Sequence, residues 1–357
     1  MNRSKVKSTK FSWFIHIILF VSIIAISGCS QNQREEISRA IADNDLAKVK
    51  TLLVAHPDLV NQLDRDRRTP LFDAMFRGDK NLVELLLTNK ADVNARDCGG
   101  HSPLSLAAAF GKNDLVVSLL AHGADATVTD SMGRSPLHSV LSPLSQKGAA
   151  EAAAMLIAHG ADVKAKDYSG TTPLHGAAAA DLKEICALLL AHGAEVDAKD
   201  HDGQTPLWHA SDEVAELLLA HGADINSRGE RGRTVLFEAM HTPYWGWADF
   251  LITHGANVNA RDYQGDTPLH LQACYGYKDT AILLINNHAE INATNFNGET
   301  PLHNAMLCNS KDVAEILLSN NAEINTKDKQ GRTPVGSAMK NEHRTLAEWL
   351  REHGGHQ

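Results

Sequence analysis

From Glu35 onward, apolar residues return every three or four positions in short runs broken by glycine, asparagine and aspartate. That is the period of amphipathic helices, and the runs come in pairs, so the pattern predicts helical hairpins. The stretch 262–303, DYQGDTPLHLQACYGYKDTAILLINNHAEINATNFNGETPLH, holds one whole unit and the start of the next. Thr267, Pro268, Leu269 and His270 return as Thr300, Pro301, Leu302 and His303, 33 positions later. Neither helix of a pair could bury its apolar stripe alone, so stacked neighbours must supply the core.

Each recurring residue has a physical task. Threonine at a helix start can cap free backbone N–H groups, and proline in the first turn loses nothing because its missing donor would have been unpaired. In AHGAD the glycine suits the left-handed position that ends a helix, and the acidic DxxG turn links units. A helix pair at 35–63 lacks TPLH and reads as an N-terminal cap. Nine units fill 64–357, opening at Asp64, Asp97, Asp130, Asp167, Asp200, Gly229, Asp262, Asn295 and Asp328. The last, carrying Glu342, His343, Arg344, Glu348, Arg351 and Glu352, reads as a truncated, solvated closing cap. Period and signature together resemble the ankyrin repeat. The resemblance implies an all-α repeat solenoid of stacked helix-turn-helix units linked by β-hairpin-like turns.

Three units depart from the rule. The third is 37 residues long, its extra four near 142–148, where an extruded loop is expected. The fifth has only 29, losing four at the same place, which should leave a notch. The sixth supplies Phe237, Tyr244, Trp245 and Trp247, with Trp208 just upstream. Trp208, Phe237 and Trp247 are expected in the core, with Tyr244 and Trp245 partly exposed.

The N-terminus reads as an address. Residues 1–10 are polar and basic, 11–26 mostly apolar, and Ser27-Gly28-Cys29 follow, the three-part layout of a secretory leader. An uncleaved anchor is the alternative. Ile26-Ser27-Gly28-Cys29 resembles the bacterial lipoprotein processing motif, which implies removal of 1–28 and a lipid on Cys29. With Ser30 in place of Asp, it further implies attachment to the outer membrane of a Gram-negative cell, facing the periplasm. An ordinary leader with an incidental cysteine is the other possibility. Residues 29–34 would form a short tether.

Charge narrows the functional classes. The chain carries −9, and losing Arg3, Lys5, Lys7 and Lys10 with the leader leaves −13. Nucleic acid is an unsuitable partner, since binding it needs a basic footprint. Nineteen histidines invite a metal reading, but most repeat. For His138, His175, His270 and His303 the resemblance implies a structural hydrogen bond. His122, His159, His192, His221 and His254 precede the helix-ending glycine, where a polar ring suits the carbonyl end.

His270, Cys274, His303 and Cys308 are the ligand types zinc takes. The histidines have structural work, however, and the cysteines occupy non-equivalent repeat positions. A Cys274–Cys308 disulfide is set aside on the ground that adjacent inner helices lie about 10 Å apart. Cys98, Cys186, Cys274 and Cys308 then read as scattered thiols. His353 and His356 fall in a polar tail expected to be disordered. No GxSxG elbow, HExxH pair or phosphate-cradling loop occurs, so no catalytic residue, metal or cofactor is expected.

The resemblance places binding at the hairpin tips and on the exposed face of the inner helices. At the tips the residues after the opening Asp or Asn include Tyr168, His201, Tyr263 and Phe296; on the inner helices the outward positions include Phe76, Arg77, Phe110, Cys274, Tyr275, Leu307 and Cys308. Phe76, Arg77, Phe110, Tyr168, His201, Tyr263, Tyr275 and Phe296 are the candidate protein-binding residues. The alternative is that their rings pack on neighbouring hairpins and recognise nothing. The expected function is a monomeric, non-enzymatic scaffold, an envelope lipoprotein that holds a periplasmic or membrane-associated protein. Alternatives are an inhibitor or immunity-type protein blocking an envelope-acting enzyme, and a redox- or metal-responsive stress protein resting on the thiols.

Overall fold

Proline and left-handed residues punctuate the helices as their chemistry requires. In a computed structural model, which describes residues 32–144, 148–240 and 246–357, Pro70, Pro103, Pro136, Pro173, Pro268, Pro301 and Pro334 each begin an inner helix. Outer helices run into a left-handed residue, as at Gly123 (φ +84°) and Gly255 (φ +96°). Units without glycine there place Lys90, His288 and Asn321 in the same conformation, at φ 68°, 66° and 67°. A side chain in that region costs about 1–2 kcal/mol.

The chain divides into two compact units between Tyr168 and Ser169. The first contains the cap helices α1 (32–42) and α2 (Leu46–Ala55). Three inner–outer pairs follow: α3 (Pro70–Arg77) with α4 (Lys80–Thr88), α5 (Pro103–Ala109) with α6 (Asn113–Ala121), and α7 (Pro136–Ser139) with α8 (Ala149–Ala158).

The second begins with α9 (Pro173–Ala179) and α10 (Lys183–Ala191). A single 3-10 turn, Pro206–His209, precedes α11 (Asp212–Ala220), and α12 (Val235–Ala239) precedes α13 (Gly246–Thr253). Regular pairs return with α14 (Pro268–Tyr275) and α15 (Lys278–Asn286), α16 (Pro301–Leu307) and α17 (Lys311–Ser319), and α18 (Pro334–Lys340) and α19 (Arg344–Glu352). The expected all-helical repeat solenoid is what forms. Among the described residues the only β-type pairing is the bridge between Arg228 and Thr234.

Within each compact unit the core is built of stacked inner–outer helix pairs. In the second unit of the repeat, Leu104, Ala107 and Ala108 of α5 face Leu115, Val116 and Leu119 of α6, and all are buried. Small alanines on the inner helix let successive units approach closely, while leucines on the outer helix fill the volume.

Several expectations need correction. Helix α1 already covers 32–34, so part of the proposed tether is folded. Arg34 is buried and held by Asp73 at 2.8 Å and by the carbonyls of Gln62 and Arg68 at 2.9 and 3.1 Å. A buried guanidinium needs such partners, and they pin the chain entry. The ninth unit is not truncated in structure: α18 and α19 form a full pair, with Leu346, Ala347 and Leu350 buried beneath a polar outer face.

Nor is the C-terminal tail loose. His353 Nδ1 binds the Trp349 carbonyl at 2.8 Å, and the His356 N–H donates to Asn325 Oδ1 at 2.7 Å. Of the three aromatic residues expected in the core, Phe237 is buried but Trp208 and Trp247 are only half-buried. Trp208 lies against Gly229, and Trp247 stacks on Phe250 at 5.2 Å. The deletion in the fifth unit shortens its inner helix to one turn, so the indole covers the turn instead of entering a helix pair. Cys29, Tyr244 and Trp245 lie outside the described residues.

Candidate functional site

The hairpin tips are shaped by the residue that opens each unit. Asp130 Oδ1 accepts the N–H groups of Met132 and Arg134 at 2.8 and 2.9 Å; Asp262, Asn295 and Asp328 do the same for the residues two and four places on. Burial pushes the Asp130 and Asp328 carboxyls up, but these N–H groups and the guanidinium of Arg134 or Arg332 outweigh it and hold both below the usual range. Gly229 cannot make these bonds. There Arg231 adopts a left-handed φ of 60°, and Arg233 reaches forward to Asp262 at 3.4 Å.

One backbone bond then joins each tip to the next within a compact unit. Tyr168 N–H donates to the Met132 carbonyl at 2.9 Å, Tyr263 to Arg231 at 2.8 Å, and Phe296 to Gln264 at 3.0 Å. This registers the side chain after each opening residue over the glycine of the preceding tip. A β-carbon on Gly133 would lie 2.6 Å from Tyr168 Cδ1, one on Gly232 2.5 Å from Tyr263 Cδ1, and one on Gly265 2.9 Å from Phe296 Cδ1. His201 lies on Gly170 in the same way. One face of each ring therefore packs on backbone while the rest meets solvent: Tyr168 is 72% exposed, Tyr263 70% and Phe296 62%.

The inner helices are tied by their histidines. His270 Nδ1 accepts from the Thr267 backbone N–H at 3.1 Å and from its hydroxyl at 2.9 Å, and Nε2–H donates to the Glu299 carbonyl of the next unit at 3.0 Å. His303 repeats this with Thr300 and Arg332, and His175 with Thr172 and Gln204. Two donors at Nδ1 fix the Nε2–H tautomer. Burial pushes the pKa values of His270 and His303 down. Where TPLH becomes TPLF, TPLW or TVLF, the hydroxyls of Thr69, Thr205 and Thr234 are buried with no partner. The histidines before the helix-ending glycine donate from Nδ1 to the carbonyl four residues back, at 2.9 Å for His122 and 2.8 Å for His221.

On the exposed ends of these helices the candidates separate. Phe76 and Phe110 pack edge-on with centroids 6.0 Å apart, and Arg68 lies over Phe76 at 5.0 Å. Arg77 is exposed but its guanidinium is committed to the Ala42 carbonyl of the cap. Tyr275 pairs with Tyr277 at 5.9 Å, both exposed. Tyr277, the N-cap residue of α15, and Met132, 56% exposed at a tip, are exposed apolar residues outside the expected set.

Cys274 and Cys308 form a disulfide with Cα atoms 5.1 Å apart, which overturns the sequence reading. Helix axes about 10 Å apart, each with Cα atoms on a cylinder of radius about 2.3 Å, bring facing Cα atoms to about 5.4 Å. The axis separation is not the Cα separation. With both sulfurs bonded and both imidazoles committed, His270, Cys274, His303 and Cys308 offer no ligand set. No cluster able to hold a metal ion occurs among the described residues.

Tips and inner-helix ends thus present aromatic rings on stacked helix pairs. A family model described as Ankyrin repeats (3 copies) matches residues 37–130, 104–200, 137–229, 212–295 and 288–357, and the chain belongs to the ankyrin-repeat family. Proteins built of these repeats are generally non-enzymatic interaction scaffolds. A comparison with curated proteins finds no match.

Proposed function

We propose that this chain is an envelope scaffold, anchored to a bacterial membrane through a lipid on Cys29, that holds a partner protein against its hairpin tips and inner-helix ends. The observation that carries the reading is the exposure of Tyr168, Tyr263 and Phe296 on tips that backbone bonds hold in register. Large rings fixed at low conformational cost are the residues that dominate interfaces. Solvation alone would place polar groups there. The leader pattern of residues 1–28 supports the location, as does the accessible disulfide, since such bonds persist outside the reducing cytoplasm. Among the described residues no helix is long and apolar enough to cross a membrane.

Charge favours a second reading, an inhibitor of a basic envelope enzyme. Residues 169–357 hold 14 Lys and Arg against 25 Asp and Glu, a net −11, and such a field accelerates encounter with a cationic partner. Two experiments test the anchor and the charge. Membrane fractionation with mass analysis of Cys29 tests the anchor, which a soluble mature form would refute. Capture at about 0.15 M and about 0.5 M salt tests the charge, because steered binding weakens sharply between them.

A further inference from the structure

Cys274 and Cys308 join α14 and α16 of the seventh and eighth units at their C-terminal ends, beside Tyr275 and Tyr277, the latter at the N-cap of α15. Those ends are already drawn together. Ser310 Oγ donates to the Cys274 carbonyl at 3.1 Å, and Asn304 Nδ2 to the His270 carbonyl at 3.3 Å. Gly276, left-handed at φ +75°, leaves room for Ser310, whose Oγ would lie 3.2 Å from a β-carbon there. Cys308 sits one place later in its unit than Cys274 in its own, at the C-cap of α16. Both cysteines are only half-buried, so a soluble reactant can reach the pair.

The other two described cysteines differ. Cys186 is buried, and burial pushes its thiol up to about 12, leaving almost no thiolate at neutral pH. Cys98 is exposed at a hairpin tip and free.

We propose that Cys274 and Cys308 are a maturation site: a disulfide-bearing oxidant in an oxidising compartment cross-links them, and the bond locks the inner-helix ends that present Tyr275 and Tyr277. The second half rests on the reading of those ends as part of the binding face. The chemistry is thiol–disulfide exchange. The Cys274 thiolate attacks one sulfur of the oxidant's disulfide, forming a mixed disulfide and expelling the other sulfur as thiolate. The Cys308 thiolate then attacks Cys274 Sγ and expels the second. Two S–H bonds of the protein are lost and one S–S bond forms, while two electrons and two protons leave on the reduced oxidant. A cytosolic protein with so accessible a bond would be held reduced, so recovery of the bond from cells would mark an oxidising compartment independently of the leader.

The test uses the full chain from its own cells, with thiols trapped by alkylation before lysis and peptides mapped without reductant. The expected result is a Cys274-peptide linked to a Cys308-peptide and an alkylated Cys98. Recovery of Cys274 and Cys308 as alkylated free thiols overturns the maturation site. Hydrogen exchange on the same protein, with and without a phosphine reductant, tests the lock. Reduction is expected to speed exchange at the C-terminal ends of α14 and α16 at least about tenfold, with α5 and α6 unchanged. Unchanged exchange at α14 and α16 overturns the lock. Cys274→Ala/Cys308→Ala gives the same comparison without reductant, and reduction of the native chain serves if that variant does not fold. Neither readout involves a partner, so failure here is distinct from failure of the scaffold reading, which shows as a soluble mature form or as unaltered capture by tip variants.

Discussion

The imidazole of His270 donates its Nε2–H to the backbone carbonyl of Glu299, 3.0 Å away in the following unit. Its other nitrogen is occupied by the backbone N–H and the hydroxyl of Thr267, so protonation would set a third donor against them. Burial accordingly lowers the pKa values of His270 and His303 below 6.5. Below that value the unfolded chain binds more protons than the native one, so stability is fully present above it and falls with pH toward the folded values. Asp266, whose carboxyl burial raises beside His270, carries the opposite sign. The melting temperature is expected to drop between about pH 7.5 and about pH 5.5, and His270→Gln with His303→Gln to flatten that slope. An equal slope in the variant would contradict the assignment.

The same motif makes a comparison between threonines. Thr267 and Thr300 give their hydroxyls to histidine, whereas those of Thr205 and Thr234 are buried without a partner. Replacing Thr267 by Val is expected to cost about 1–3 kcal/mol, because it leaves a buried acceptor short of a donor. Thr205→Val and Thr234→Val remove a group that is already unsatisfied and are expected to be neutral or stabilising. Urea melts of the three variants decide this.

His288 occupies the left-handed place that glycine holds in other units, at φ 66°, and is exposed there. Its backbone N–H donates to the Ile285 carbonyl at 3.1 Å, and its carbonyl accepts from Asn259 Nδ2 at 3.2 Å. His288→Gly keeps both bonds and is expected to raise stability by about 0.5–1 kcal/mol, net of the entropy glycine adds to the unfolded chain. A lowered melting temperature would show that the ring packs more than its exposure suggests.

The disulfide closes a loop between positions 34 apart. Cys274→Ser is expected to cost about 2–4 kcal/mol relative to the oxidised chain and almost nothing relative to the reduced one. Paired denaturation curves with and without reductant check both statements.

The repeat architecture was legible because the Thr, Pro and His of TPLH and the Gly of AHGAD have backbone tasks that recur with the period, while the Leu fills the core. Pro268 begins a helix, Gly255 ends one, and His270 ties a carbonyl as the resemblance implied. The tips were legible for a related reason: Tyr263 and Phe296 stand where a regular turn needs no ring, and both are exposed. Their packing on Gly232 and Gly265 was not, since it depends on backbone register between neighbouring tips.

A second ladder was hidden by its own regularity. Asn94, Asn226, Asn259, Asn292 and Asn325 each bond forward, Asn226 Oδ1 accepting the Asn257 N–H at 2.8 Å and Nδ2 donating to the Gly255 carbonyl at 3.3 Å. In sequence they look like ordinary turn residues. The disulfide was missed through geometry and not chemistry, because facing Cα atoms lie two helix radii closer than the axes that carry them.

The most direct test of the central claim is quantitative cross-linked capture from the envelope by three forms of the anchored protein. These are the native chain, Tyr263→Ala with Phe296→Ala, and Val117→Ala, which changes an exposed residue of outer helix α6. The expected result is a specific protein held by the native and Val117→Ala forms and lost by the tip variant, with all three melting within about 0.5 kcal/mol of each other. Equal recovery of the same proteins by all three forms would contradict the account.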